Sequence, residues 1–172
     1  AEVKRIGVLT GGGDAPGLNP AIKGLVYRAS EYGIETHGLY DGWRSLLNPL
    51  TETLLLDRPK VRRWDRDGGT NLGSSRTNPF RTTNQQGERV DRSDEVVANI
   101  EKLGLDAIVA CGGEDTLGVA ARLSEKGVRV PLAVNISPAA LHDPGLPGRI
   151  ASLVTASSLG WHGLELEITE RA

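Results

Sequence analysis

Ile6-Gly7-Val8-Leu9-Thr10-Gly11-Gly12-Gly13 is the stretch on which the fold turns. A brief apolar run stops at three glycines. A run apolar on both faces reads as a parallel strand inside a sheet, and the glycines read as a tight turn at its carboxyl end. Just beyond it, Asn19 supplies a capping side chain and Pro20 suits the first helical position, where a missing N–H costs nothing. Ile22, Leu25, Val26 and Ala29 then recur at helical spacing until Gly33 ends the run. The same unit returns later. Ala107-Ile108-Val109-Ala110 runs into Cys111-Gly112-Gly113, and a helix over 116–126 follows, closed by Gly127.

The remaining segments fit that alternation. Ile34 to Tyr40 alternates as a second strand, Leu54-Leu55-Leu56 reads as a short strand, and Val61 to Arg66 reads as one helical stretch before Gly68-Gly69. Residues 73–94 are polar throughout and read as a long loop, a kind of segment that is usually functional or disordered. Ser93 begins a helix with Asp94 and Glu95 in its first turn, where they suit the dipole, and Gly104 closes it. Val130 to Ile136 and Leu164 to Thr169 read as strands, with Ser137-Pro138 and Asp143-Pro144 as helix starts between them. Alternation of this kind predicts an α/β fold, a three-layer sandwich on a mainly parallel sheet in a single domain.

Composition narrows the function classes. The chain has 172 residues, with 20 Lys+Arg against 22 Asp+Glu and a net charge of −2. Roughly 70% of the unfolded surface of a chain this long can be buried, so a real core forms. A near-neutral balance argues against nucleic acid as a partner. One cysteine excludes a disulfide framework and a Cys-rich zinc module. No apolar run approaches the ~18 residues of a membrane helix, so no membrane role is expected. The first residues, AEVKRIGVLT, read as a strand start and not as a signal peptide, and a reducing, cytoplasmic setting is the default expectation.

Ligands of open α/β sheets bind outside the carboxyl ends of the strands. Both glycine turns fall at such ends. Glycines let backbone N–H groups approach phosphate oxygens, and the following helix adds its positive dipole end. The second turn continues into Glu114-Asp115, an acidic pair that suits phosphate only with a divalent cation between them. Arg76 lies in the polar stretch after Gly68-Gly69 and suits bidentate phosphate contact. The first turn is neither a Walker A sequence nor a dinucleotide fingerprint, and glycine turns between strand and helix also occur with no ligand.

IGVLTGGGDAPGLN (6–19), GLYDGW (38–43), GGTNLGSSR (68–76) and LGLDAIVACGGEDT (103–116) together resemble the 6-phosphofructokinase family, over about residues 3–131. The resemblance implies phosphoryl transfer to fructose 6-phosphate, in glycolysis. It implies donor contacts by Gly13, Arg76, Gly113, Asp115 and Thr116, and a magnesium-linked acid at Glu114. ATP users of the family usually carry glycine where Asp115 stands. A side chain there resembles the pyrophosphate-dependent branch, so pyrophosphate is favoured over ATP as donor. The family's acidic motif, whose first aspartate is the base, is replaced here by Asn135-Ile136-Ser137-Pro138. Its second domain and later sugar-binding arginines are not in the sequence. No catalytic residue is assigned, and the piece is expected to be catalytically incomplete.

Residues 132–172 look different. LAVNISPAALHDPGLPGRIASLVTASSLGWHGLELEITERA resembles a central piece of EAL-type cyclic di-GMP phosphodiesterase domains, in which Asn135 and Glu167 would bind metal and Glu170 would support them. That family's signature strand and later acidic strand are absent. The two resemblances suggest a chimera, with residues 1–131 as the donor-binding part and residues 132–172 as a strand–helix–strand completing the same sheet. A folding scaffold with no activity and a remnant phosphodiesterase metal site are the alternatives. His37, His142 and His162 are too scattered for a metal triad, and Cys111 reads as a buried, inert thiol. Trp43, Trp64 and Trp161 read as packing residues, and Arg62, Arg63 and Arg66 as a solvated face or a phosphate-steering one. The expected partner is a small phosphorylated ligand, and the sequence leaves the oligomeric state open.

Overall fold

The computed structural model describes residues 2–13, 16–48, 50–130, 132–136, 143–156 and 164–168, with backbone alone for 132–136, 153, 154, 156 and 164–168. The chain runs β1 (Arg5–Thr10), α1 (Leu18–Glu31), β2 (Glu35–Leu39), β3 (Leu54–Leu56), α2 (Arg58–Val61), β4 (Thr82–Thr83), β5 (Arg89–Val90), α3 (Ser93–Lys102), β6 (Ala107–Cys111), α4 (Glu114–Glu125), β7 (Leu132–Ile136), α5 (Leu146–Ala156) and β8 (Leu164–Ile168). Short 3-10 turns lie at Gly42–Leu47, Trp64–Arg66 and Pro79–Arg81.

The main sheet has the order β3-β2-β1-β6. β1 pairs in parallel with both β2 and β6, whereas β3 is antiparallel to β2 and forms one edge. The sheet is therefore mainly parallel, not parallel throughout. Successive residues of β1 face opposite layers. Val8 packs with Ile22, Val26 and Val61 from α1 and α2, and Leu9 packs with Val96, Ile100, Val119 and Leu123 from α3 and α4. Val8, Leu9, Leu39 and Ile108 are fully buried, and each is worth roughly 1.5–3 kcal/mol in apolar transfer. Helices on both faces of a sheet make the three layers expected from the sequence.

The main helices end alike. In α1, α3 and α4 a glycine at positive φ follows the last turn, and the residue after it donates back: Ile34 to Ala29, Leu105 to Ile100 and Val128 to Leu123. These glycines stop each helix so that the chain re-enters the sheet or its edge.

Several local expectations shift. α1 begins at Leu18 after Gly17 and has no side-chain cap, so Asn19 is not its N-cap. Val61–Arg66 is not one helix but the end of α2 and a separate 3-10 turn. The polar stretch after residue 73 holds a 3-10 turn and the hairpin β4–β5. β7 and β8 pair in parallel with each other as a sheet of their own, and do not extend the main one. Residues 128–130 run beside β6, where Ile108 N–H donates to the Arg129 carbonyl at 2.9 Å. Pro131 follows and has no N–H to continue a ladder.

Candidate functional site

From β1 the chain moves outward through β2 to β3, then returns to place β6 on the other side of β1. The order reverses between β1 and β6, and a crevice opens at the carboxyl ends of such a strand pair. The two glycine turns occupy it. Because β1 and β6 are parallel neighbours, with Thr10 opposite Cys111, both turns leave the same end of the sheet side by side.

The turns are joined to each other. Gly11 N–H donates to the Cys111 carbonyl at 2.9 Å, and Gly12 N–H donates to the Ser75 carbonyl at 3.0 Å. A Cβ at Gly112 would stand 2.6 Å from the Gly11 carbonyl oxygen, and one at Gly11 would overlap Thr116 Oγ1. Only glycine permits that approach. The amides of Gly11 and Gly12 are thus committed within the protein. Gly13 and Gly113 are exposed, and among the described residues their amides donate to nothing.

Arg76 is exposed and makes no hydrogen bond or ion pair among the described residues. The irregular segment that carries it is tied down along its length. Asn19, fully buried, donates from Nδ2 to the carbonyls of Asp67 at 3.2 Å and Gly68 at 3.4 Å, and its Oδ1 accepts from Asn71 N–H at 2.7 Å. Leu72 is fully buried in the α1 face. Thr10 Oγ1 donates to the Gly73 carbonyl at 2.7 Å and lies 2.7 Å from Thr70 Oγ1. Asp41, at φ 57, donates its N–H to the Leu72 carbonyl at 2.9 Å and accepts from Ser75 Oγ at 2.6 Å. The turn after β2 is therefore the third wall of the same site.

Glu114 and Asp115 stand in the first turn of α4 rather than in a loop before it, and both are exposed. Thr116 is 4% exposed, so it underlies the turns as packing while the other donor-site candidates form the rim. Trp43 is buried and donates from Nε1 to the Thr116 carbonyl at 3.2 Å, bracing the same turn from below. Cys111 lies half-buried at the end of β6, and burial pushes its thiol up, away from the reactive thiolate. His37 stands midway along β2, opposite Gly7 of β1, its Nδ1 2.7 Å from Thr53 Oγ1. Among the described residues no three His, Cys, Asp or Glu side chains gather as a metal cage. His142, His162, Trp161 and Glu170 lie outside the described residues. Asn135 and Glu167 are register partners across β7 and β8, and their side chains also lie outside the description.

The order of strands, the paired glycine turns and the arginine segment coincide with one family. The phosphofructokinase profile matches residues 5–142, and the chain belongs to that family. The match runs past residue 131, where the sequence suggested a boundary, and takes in Asn135-Ile136-Ser137-Pro138.

Among its relatives, the pyrophosphate–fructose 6-phosphate 1-phosphotransferase of Dictyoglomus thermophilum is 52% identical over 124 residues, covering 72% of this chain and 33% of that protein. The ATP-dependent 6-phosphofructokinase of Vibrio campbellii is 40% identical over 125 residues, covering 73% of this chain and 36% of that protein. The crystal structure of Pichia pastoris phosphofructokinase in the T-state superposes with a TM-score of 0.61 at 31% identity, covering 73% of this chain and 13% of that one. The chain spans about a third of the length of the curated relatives it matches. No described helix is long and apolar enough to cross a membrane.

The sequence pointed to the glycines, Arg76 and the acidic pair. It missed Asn19 as a clamp and Ser75, Thr10 and Asp41 as struts. A signal was present for three of them: Asn19 abuts a proline and Thr10 and Asp41 each abut a glycine, where short polar side chains bond to backbone instead of solvent, whereas Ser75 stands between Ser74 and Arg76 and carries no such mark.

Proposed function

We propose that this chain is the phosphoryl-donor-binding part of a phosphofructokinase, with pyrophosphate favoured over ATP. The observation that carries the reading is the shared exit of β1 and β6, which leaves the amides of Gly13 and Gly113 open beside Arg76 and the first turn of α4. Four kinds of group then address one anion: two backbone donors, a guanidinium, a helix N-terminus and carboxylates that take a cation. Arg76 presents a fork matched to phosphate oxygens. Asp115 fills space that a nucleotide's α-phosphate would need, and its charge opposes that phosphate.

Magnesium fits the donor set. A hard cation that keeps several waters needs only one or two carboxylates plus phosphate oxygens, and Glu114 with Asp115 offers that much and no closed cage. When bound, the ion neutralises charge on the phosphates. The chain's own residues orient the donor and exclude wrong orientations of it. Asn135-Ile136-Ser137-Pro138 supplies no carboxylate to serve as base for a sugar hydroxyl. The proposal is therefore binding by this chain, with turnover absent unless a base comes from elsewhere. The phosphodiesterase-like reading of residues 132–172 rests on the quoted sequence and the Asn135–Glu167 pairing alone.

Calorimetry with magnesium and pyrophosphate tests the reading. A saturable heat is expected, and Arg76→Ala should weaken binding roughly 10- to 100-fold, the worth of a charge-assisted hydrogen-bond pair. A folded protein that gives no heat at millimolar pyrophosphate refutes it.

A further inference from the structure

We infer that Ser75 is a positioning residue for Arg76, holding it in register with the first glycine turn through two bonds that leave in different directions. The inference rests on the proposed donor site. Its hydroxyl donates to the Asp41 carbonyl at 2.6 Å, and its own carbonyl accepts from Gly12 N–H at 3.0 Å. Arg76 is the next residue, and its side chain has no described partner.

The need for such a device follows from the segment's character. Residues 67–76 hold no helix or strand, and an irregular segment keeps its shape only where its backbone is bonded or its side chains are buried. Asn19, Thr10 and Leu72 secure residues 67–73. Past Gly73 those anchors end, and Ser75 is the remaining tie before Arg76. A guanidinium that must meet an anion beside Gly13 has to be set to about 0.5 Å, and a side chain with several rotatable bonds reaches that only from a fixed Cα. Asp41 is the one described non-glycine residue at positive φ, and that turn aims its carbonyl at the serine. Ser75 thus links the exit of β2 to the exit of β1 and passes both positions on to Arg76.

Two measurements on the full chain decide the matter. The first needs no ligand. Ser75→Ala should speed hydrogen exchange at the Gly12 amide about tenfold, because its acceptor is no longer held from the Asp41 side, and Ser75→Thr should restore the slow rate. The second is a double-mutant cycle read by pyrophosphate calorimetry with magnesium. Ser75→Ala should weaken binding about fivefold in the native background and not at all when Arg76 is already alanine. Equal weakening in both backgrounds would show a merely structural role, and unchanged Gly12 exchange would overturn the inference. If the native chain binds no pyrophosphate, the donor-site reading fails, and the exchange experiment alone still decides whether Ser75 sets this segment.

Discussion

Replacing Asn19 with alanine removes the side chain that joins the first turn of α1 to residues 67–71. Asn19 is fully buried, and its amide makes contacts at 2.7, 3.2, 3.4 and 3.4 Å to Asn71 N–H, the Asp67 carbonyl, the Gly68 carbonyl and Asn71 Oδ1. The two shorter bonds count fully, at about 1 kcal/mol net each, and the two at 3.4 Å are weak. The small void left behind adds a fraction more. The expected loss is about 2.5 kcal/mol, or roughly 8 °C in Tm for a chain of this length. Urea unfolding followed by circular dichroism measures it, with a lower midpoint and an unchanged slope. Asn19→Asp sharpens the test. It keeps the acceptor for Asn71 but turns a donor into a negative charge facing two carbonyls, so at neutral pH it should cost more than alanine. In acid the protonated carboxyl recovers one donor, and its deficit against the native chain should shrink. A cost below about 0.5 kcal/mol for alanine would show that the segment is held by Leu72 and the threonines without this clamp.

Two further perturbations probe the frame. Gly112→Ala places a methyl 2.6 Å from the Gly11 carbonyl oxygen, so the paired turns must part; a loss of about 2–3 kcal/mol and of pyrophosphate binding is expected in melts and calorimetry. Asp106 accepts from the amides of Lys4 at 2.8 Å and Arg5 at 2.9 Å, and these bonds hold its carboxyl below the usual range. Its folded pKa lies below its unfolded one. Its contribution is therefore present above the ordinary carboxylate range and is lost as pH falls through the folded value. Urea midpoints taken down a pH series should fall less steeply for Asp106→Asn than for the native chain.

How far the sequence spoke depended on the range of the interaction. Apolar runs ending in glycine declared β1 and β6, because burial on both faces and a turn at the end are local properties. The glycine at the end of each main helix was legible for the same reason. The direction of β3 was not, since three leucines carry no mark of parallel or antiparallel pairing. Asn19 looked like a cap because asparagine beside proline usually is one; its true partners lie about 50 residues away, beyond any local pattern. Glu114 and Asp115 were placed in a turn because the preceding glycines masked a helix start two residues earlier than the expected 116. The separation of β7–β8 from the main sheet escaped notice because an apolar strand reads alike in any sheet.

The commitment of Gly11 and Gly12 to carbonyls of their own chain means that the ordering of these bends is settled during folding, before any guest arrives. On the proposed donor-site reading, an incoming oxyanion would meet Gly11 and Gly12 already fixed in place. Its encounter should be governed by diffusion and charge, with little change in heat capacity, and its selectivity by shape rather than by adaptation.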